Sequence, residues 1–391
     1  MKITGIETVV VNAVHRNWIF VKVLTDQPGL HGWGEATLEW KTRGVIGTIE
    51  DLAQFVVGED PHRIEHIVQR MQRFSFWPMG VIGLTALSGI EQALWDIKGK
   101  DLGVPVWQLL GGRVRDRVRV YTHMHRGRAG TQVGTADIGA FCDGVQETLE
   151  MGYDAIKLGF VPYTGYDAPL ASVRHVAKLA EAVRERVGET VDIMTDFHGR
   201  PDSLGAAKAY IDAIAPIAPL FIEEPIQPGD AAALGDLARR VSCPLATGER
   251  LFTPREFAEI AEHRAVAYIQ PDLAHCGGLS GGRRIAAIAE AAHMGVAPHN
   301  PMGPVAGAVA LQFDAATPNF VIQEEAVGMV PWFEEICALY PLELAGGCWN
   351  IPETPGLGIE IDEAAAAKHP FAEEEVMSLQ SILPDGRIAN W

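Results

Sequence analysis

The feature that most constrains this chain begins near residue 118. Short apolar runs alternate there with amphipathic helical stretches. The runs are VRVYTHM (118–124), AIKLGF (155–160), VDIMTD (191–196), LFIEEP (220–225), PLATGE (244–249), AYIQPD (267–272), GVAPHN (295–300) and FVIQEE (320–325). Helical periodicity fills the gaps, as at 171–187, 203–215 and 279–293. Such runs predict parallel strands covered on both faces, and eight strand-plus-helix units close naturally into a barrel. A doubly wound sheet would need a GxGxxG phosphate loop after an early strand, and none stands there.

The N-terminal part has a different texture. Ile3, Ile6, Val9 and Val11, then Ile19, Val21 and Val23, alternate with polar residues, a hairpin or meander pattern. Helical spacing follows at 44–56, 61–74 and 79–101, and Gly103-Val104-Pro105 stops the last of these. The expected organisation is an α+β capping domain over 1–115, a barrel over 116–326 and a C-terminal segment, 327–391, that returns to the cap.

The net charge of −18 disfavours nucleic acid and anionic membranes as partners. It also means that an acidic substrate would need local positive charge. Five scattered cysteines without a CxxC argue against a disulfide framework and for a reducing compartment, the cytoplasm. The N-terminus lacks the apolar core of a signal peptide, and no apolar run is long enough to span a membrane.

Barrel active sites lie at the C-terminal ends of the strands. The third run ends in Asp196-Phe197-His198, the fourth in Glu223-Glu224-Pro225 and the fifth in Gly248-Glu249-Arg250. Three successive units thus deliver carboxylates to one mouth. Crowded anions repel unless a cation neutralises them, and all-oxygen ligation selects a hard ion, Mg²⁺ or Mn²⁺, with one Mg²⁺ per subunit expected. His198 and His299 flank these groups on nearly opposite walls. Asp272, one strand before His299, is placed to orient its imidazole. A metal-bound carboxylate has a removable α-proton; one histidine takes it and the other helps a β-hydroxyl leave. The net reaction is loss of water from a 2,3-dihydroxy acid through an enediolate, giving a 2-keto-3-deoxy acid.

Further motifs carry a family resemblance: GWGE (32–35), ALWDIKGK (93–100), PVWQLLGG (105–112), DFHGR (196–200), FIEEP (221–225), QPDLAHCGG (270–278), APHNPMGP (297–304) and PGLGIEID (355–362). With these the chain resembles the mandelate racemase subgroup of the enolase superfamily, and within it the D-galactonate dehydratase family of acid sugar dehydratases. The resemblance implies a modified TIM-type (β/α)7β barrel with an α+β cap, and a homo-oligomer. It implies Asp196, Glu223 and Glu249 as Mg²⁺ ligands, His299 with Asp272 as the base, and His198 as the acid. It also implies Glu324 as a carboxyl contact to the substrate. Racemases of the subgroup carry Lys-x-Lys on the second strand. Here the stretch is Lys157-Leu158-Gly159, so the second base is absent and racemisation is disfavoured. The stretch Tyr121-Thr122-His123-Met124-His125 looks more like the D-mannonate dehydratase branch, and Phe76-Trp77-Pro78-Met79 departs from the galactonate pattern.

His123, His125, Arg250 and Trp332 are further candidate substrate contacts. Trp18, Trp40, Lys41 and Arg43 are candidates for a lid. His123-Met124-His125 is also a zinc signal, which makes a zinc-dependent amidohydrolase-type hydrolase a competing reading. Zinc favours nitrogen ligands, whereas the later strand ends hold Glu223, Glu249 and Asp272. A barrel that binds acid sugars without turnover is the second competitor. His175, His263 and His293 fall in helical stretches and read as solvated-face residues.

Overall fold

The structure is a computed structural model that describes residues 1–123, 137–337, 343–374, 376 and 381–390. The chain opens with β1 (Ile3–Asn12), β2 (Asn17–Thr25) and β3 (His31–Glu35), antiparallel in that order. Their alternating apolar side chains pack against α1 (Thr42–Val56), α2 (Ile64–Phe74) and α3 (Gly80–Leu102). Ile19, Val21, Val23, Ile49, Ile67, Leu87, Ile90 and Leu94 share this buried cluster. The glycines of GWGE exist for close packing. A Cβ at Gly34 would lie 1.9 Å from the Gly89 carbonyl oxygen, and one at Gly32 would lie 2.0 Å from that of Ala93. Strand β3 and helix α3 therefore touch backbone to backbone.

A short α4 (Val106–Leu109) leads into the barrel. Its strands are β4 (Arg117–His123), β5 (Ala155–Leu158), β6 (Asp192–Asp196), β7 (Phe221–Glu223), β8 (Leu245–Thr247), β9 (Tyr268–Ile269), β10 (Gly295–Val296) and β11 (Gln323–Glu324). Helices between them are α5 (Ile138–Leu149), α6 (Leu170–Val187), α7 (Leu204–Ile214), α8 (Ala231–Ala238), α9 (Pro254–His263), α10 (Gly278–Ala291) and α11 (Pro304–Ala316). Neighbouring strands pair in parallel from β4 to β10. A parallel bridge from Val296 to Phe320 and the pairing of β11 with β4 close the ring. Among the described residues, only the four-residue helices α12 (Phe333–Ile336) and α13 (Glu363–Ala366) follow β11, so the eighth unit lacks a full covering helix. The ladders are shorter than the apolar runs. Several runs continue past their last paired residue into the turn that carries site residues, as in Tyr268–Ile269 leading to Asp272.

After β12 (Leu344–Ala345), strand β13 (Cys348–Asn350) pairs antiparallel with the start of β4. The segment beyond it bonds to the cap. The Glu360 carboxylate accepts from Trp33 Nε1 (2.7 Å) and pairs with Lys100, and the Leu357 amide donates to Asp96.

Cap and barrel meet at two buried glutamates. Glu91 on α3 accepts from the Leu279 and Ser280 amides at the start of α10, both at 2.9 Å. Glu35 on β3 accepts from the amides of Gly303 (2.7 Å) and Ala306 (2.9 Å) at the start of α11. Helix N-terminal amides have no partner within their own helix, so these carboxylates complete both helices. Burial nevertheless pushes each glutamate up to about 7, against the pull of its donors. A value raised on folding from the ordinary 4.5 favours the fold most at low pH, and that advantage is lost as pH rises through about 7. Glu35→Gln does not titrate. Its stability is therefore expected to gain on the native chain by about 2–3 kcal/mol between pH 5 and pH 8. Urea unfolding of both proteins at the two pH values measures this; a pH-independent difference refutes it.

Candidate active site

Each barrel strand turns one side chain into the lower interior: Tyr121, Ala155, Met194, Phe221, Ala246, Tyr268, Ala297 and Ile322 form a single apolar cluster. Strand side chains alternate, so the residue two positions later on each strand also faces inward, one layer nearer the mouth. Those residues are His123, Lys157, Asp196, Glu223, Gly248, Gln270, His299 and Glu324. The chemistry is one layer of the barrel.

Asp196 and Glu223 sit opposite each other in register. Gly248 holds the next place in the layer. A Cβ there would lie 2.7 Å from the Gln270 backbone nitrogen, at a φ of 148°, so only glycine lets the chain pass and Glu249 enters from the following position. One oxygen each from Asp196, Glu223 and Glu249 lie within 4.8 Å of one another. Burial, then neighbouring carboxylates, push Glu223 well above the usual range and Glu249 to about 8. Asp196 is held at about 2: burial opposes its ionisation, but His198, Lys157 and the His198 amide outweigh it. Two positive-φ residues, His198 (49°) and Glu224 (38°), bend the chain just beyond Asp196 and Glu223. The His198 amide is thereby turned back onto Asp196 Oδ1 at 2.8 Å.

His299 bridges the mouth. Its Nδ1 lies 2.8 Å from Asp272 Oδ2 and its Nε2 lies 3.1 Å from Glu249 Oε2. Burial alone would lower its pKa, but Glu249, Glu324 and Asp272 raise it to about 10. On the opposite wall, His198 Nε2 is 3.2 Å from Asp196 Oδ2. Burial drives His198 down to about 3, so the imidazole rests neutral. Glu324, fully buried, is held well below the usual carboxylate range because Lys157, His123 and His299 overcome its desolvation. Its Oε1 is 2.8 Å from Lys157 Nζ and 2.5 Å from His123 Nε2, and its Oε2 accepts from the Asn300 amide.

Sequence reading treated Lys157 only as the survivor of a lost pair. The structure puts it at the centre. Its Nζ lies 2.8 Å from Glu223 Oε2, 2.8 Å from Glu324 Oε1 and 3.2 Å from Asp196 Oδ2. These carboxylates outweigh full burial and hold it well above the ordinary lysine value. The two-residue spacing from Ala155 was the available signal.

The other candidates have partners of their own. The Arg250 guanidinium pairs with Glu224 and donates to the His198 carbonyl (3.1 Å) and Gln227 (3.2 Å). Its Nε also lies 3.8 Å from Glu249 Oε1, so the side chain stands beside the acidic triad. Trp332 donates to the Asn12 carbonyl and stacks on His369, in the seam between cap and tail. Trp18 is core, packed edge-on against Phe333, and Arg43 pairs with Glu373. His125 lies outside the described residues.

Family profiles match both parts of the chain. "Mandelate racemase / muconate lactonizing enzyme, N-terminal domain" matches residues 4–111, and "Enolase C-terminal domain-like" matches residues 140–365. The chain belongs to the enolase superfamily. Two relatives named D-galactonate dehydratase are similar along their length. The one from Variovorax paradoxus is 40% identical over 93% of each chain, and the one from Ralstonia nicotianae is 38% identical over 100% of each. Among solved structures, an enolase from Agrobacterium radiobacter, provisionally named a galactarate dehydratase and bound to sodium and L-malate, superposes with a TM-score of 0.89. It is 33% identical and both chains are fully covered. A mandelate racemase/muconate lactonizing enzyme from Jannaschia sp. CCS1 gives 0.87 at 30% identity, covering 95% and 98% of the two chains. This enolase-superfamily chain is an enzyme of the hydro-lyase class. Members of the superfamily bind a divalent metal, and the acidic triad is in place here. Among the described residues no helix is long and apolar enough to cross a membrane.

Proposed function

We propose that the chain dehydrates an acid sugar, a galactonate-, gluconate- or mannonate-like aldonate, to the 2-keto-3-deoxy acid with one Mg²⁺ per subunit. The observation that carries this reading is the pairing of an all-oxygen triad with imidazoles on opposite walls of the barrel mouth. The donor set fits a hard divalent ion. The carboxylates of Asp196, Glu223, Glu249 and Glu324 outnumber the cations Lys157 and His299, burial and mutual repulsion push Glu223 and Glu249 up, and no neutral donor or thiolate stands among the three acidic side chains, so a bound cation would relieve the site. Asp196, Glu223 and Glu249 would hold the ion. Bound there, it would relieve the negative charge that keeps a proton on His299 and would polarise a substrate carboxylate.

The remaining work belongs to the chain. His299, oriented by Asp272, accepts the α-proton. Lys157 faces the carboxylate whose charge grows as that proton departs, and Glu324, braced by His123, holds the lysine in place. His198 stands across the mouth; neutral by itself, it takes up a proton as the anionic substrate arrives and hands it to the departing 3-hydroxyl. Gly159 leaves no second base in the Lys-x-Lys position, so the reaction runs to elimination. Arg250 keeps the His198 turn in place through its carbonyl.

Incubation with Mg²⁺ and every hexonic, pentonic and 6-deoxyhexonic acid, followed by a 2-keto acid assay, tests the reading. Turnover of one stereochemical class is expected, lost on chelation and restored by Mg²⁺. Silence across the complete panel would favour a binding protein. Activity that survives chelation refutes the metal-assisted mechanism.

A further inference from the structure

We propose that Thr85 and His275 are positioning residues: together they reserve the Asp272 carboxylate for His299, so that a cap helix sets the geometry of the base. The proposal rests on the reading of His299 as that base.

The chain of contacts is continuous and buried. Asp272 Oδ1 accepts from the Ala274 amide at 2.7 Å, while Oδ2 faces His299 Nδ1 at 2.8 Å. On its other side, Oδ2 lies 3.6 Å from His275 Nε2. His275 is 4% exposed, and its Nδ1 lies 2.9 Å from Thr85 Oγ1 on α3. The Thr85 hydroxyl also lies 2.7 Å from the Val81 carbonyl, one turn earlier in the same helix. A carbonyl only accepts, so the single hydroxyl proton goes to Val81. Thr85 must then accept from His275, which fixes a proton on Nδ1. Burial holds His275 below its ordinary value, so the ring is neutral and its Nε2 bears a lone pair.

That lone pair faces a carboxylate and offers it no proton. Oδ2 is left to a single donor, His299. Were the tautomer reversed, an Nε2–H would point at the same oxygen and compete with His299 for it. Thr85 prevents this from a different domain, and the docking of α3 on the barrel is thereby coupled to the orientation of the base.

The test is a double-mutant cycle in the full-length chain. Thr85→Val keeps the shape of the side chain and removes the acceptor. With Mg²⁺ and a turned-over acid sugar it is expected to lower kcat about tenfold while KM changes less than twofold. Thr85→Ser is expected to retain kcat. In a His275→Leu background, with no ring left to compete, the same Thr85→Val change is expected to cost less than twofold. In parallel, the downfield NMR signal of the His299 Nδ1 proton, assigned by its loss in Asp272→Asn, is expected to move in Thr85→Val and to hold in Thr85→Ser. Equal losses from Thr85→Val in both backgrounds, or an unmoved signal, overturn the proposal. Because the NMR arm needs no substrate, it decides the relay even if no acid sugar is turned over, an outcome that would refute the functional reading instead.

Discussion

His299→Asn is expected to abolish dehydration and, with it, exchange of the substrate α-proton with solvent deuterium. Asparagine preserves the approximate reach of the side chain but has no atom that accepts a proton at neutral pH. A positioned base contributes about 10²–10⁴ to the rate, so exchange should fall by that factor. The Asp272 contact at 2.8 Å orients this imidazole as the base. His198→Asn is therefore expected to lose dehydration yet to keep measurable exchange, because the proton leaves the α-carbon on the other wall. His299 also touches Glu249, so Mg²⁺ affinity is measured beside exchange and should stay within a few fold. Exchange that survives in His299→Asn would move the base elsewhere in the layer.

Lys157→Met is expected to give the largest loss of stability of any substitution in the layer. Methionine matches the bulk of the stem and deletes the charge. Asp196, Glu223 and Glu324 would then face one another, buried, without the cation that now sits 2.8–3.2 Å from each. Breaking a buried ion pair from one side costs about 3–5 kcal/mol, chiefly through the stranded charge. The expected result in chelator is a fall of that size in the unfolding free energy, together with loss of turnover. Added Mg²⁺ should recover more stability in the variant than in the native chain, since an ion that binds only the folded state stabilises it by mass action. Denaturant titrations with chelator and with Mg²⁺ decide this. Equal stability of the two proteins in chelator would show that Lys157 is not the internal counter-ion.

The barrel and the acidic triad were legible because both follow from local rules. Apolar runs at helix-separated spacing can bury both faces only between helices, and a carboxylate at the end of each of three successive runs has one common destination. The His299–Asp272 contact was legible for the same reason: neighbouring strands place their ends side by side. Lys157 was not legible as a participant. It lies inside an apolar run, and its spacing from Ala155 acquires meaning only once the interior layer of the barrel is known. Arg250 and Trp332 read as substrate contacts because they follow strand ends. The direction a turn residue takes depends on what packs beside it, and here Glu224 and Asn12 claim them.

Sequence alone determined the class of fold, which three carboxylates meet at the mouth and the absence of a second lysine in the Lys-x-Lys position, since each is written in residue type and period. Tertiary structure alone decided the charge of the site and its link to the cap. Whether a buried lysine pairs with three acids, or a threonine on α3 fixes a histidine tautomer across a domain seam, depends on distances of about 3 Å between segments far apart in the chain. Electrostatic and hydrogen-bond energies vary steeply over that range, and no local pattern encodes them.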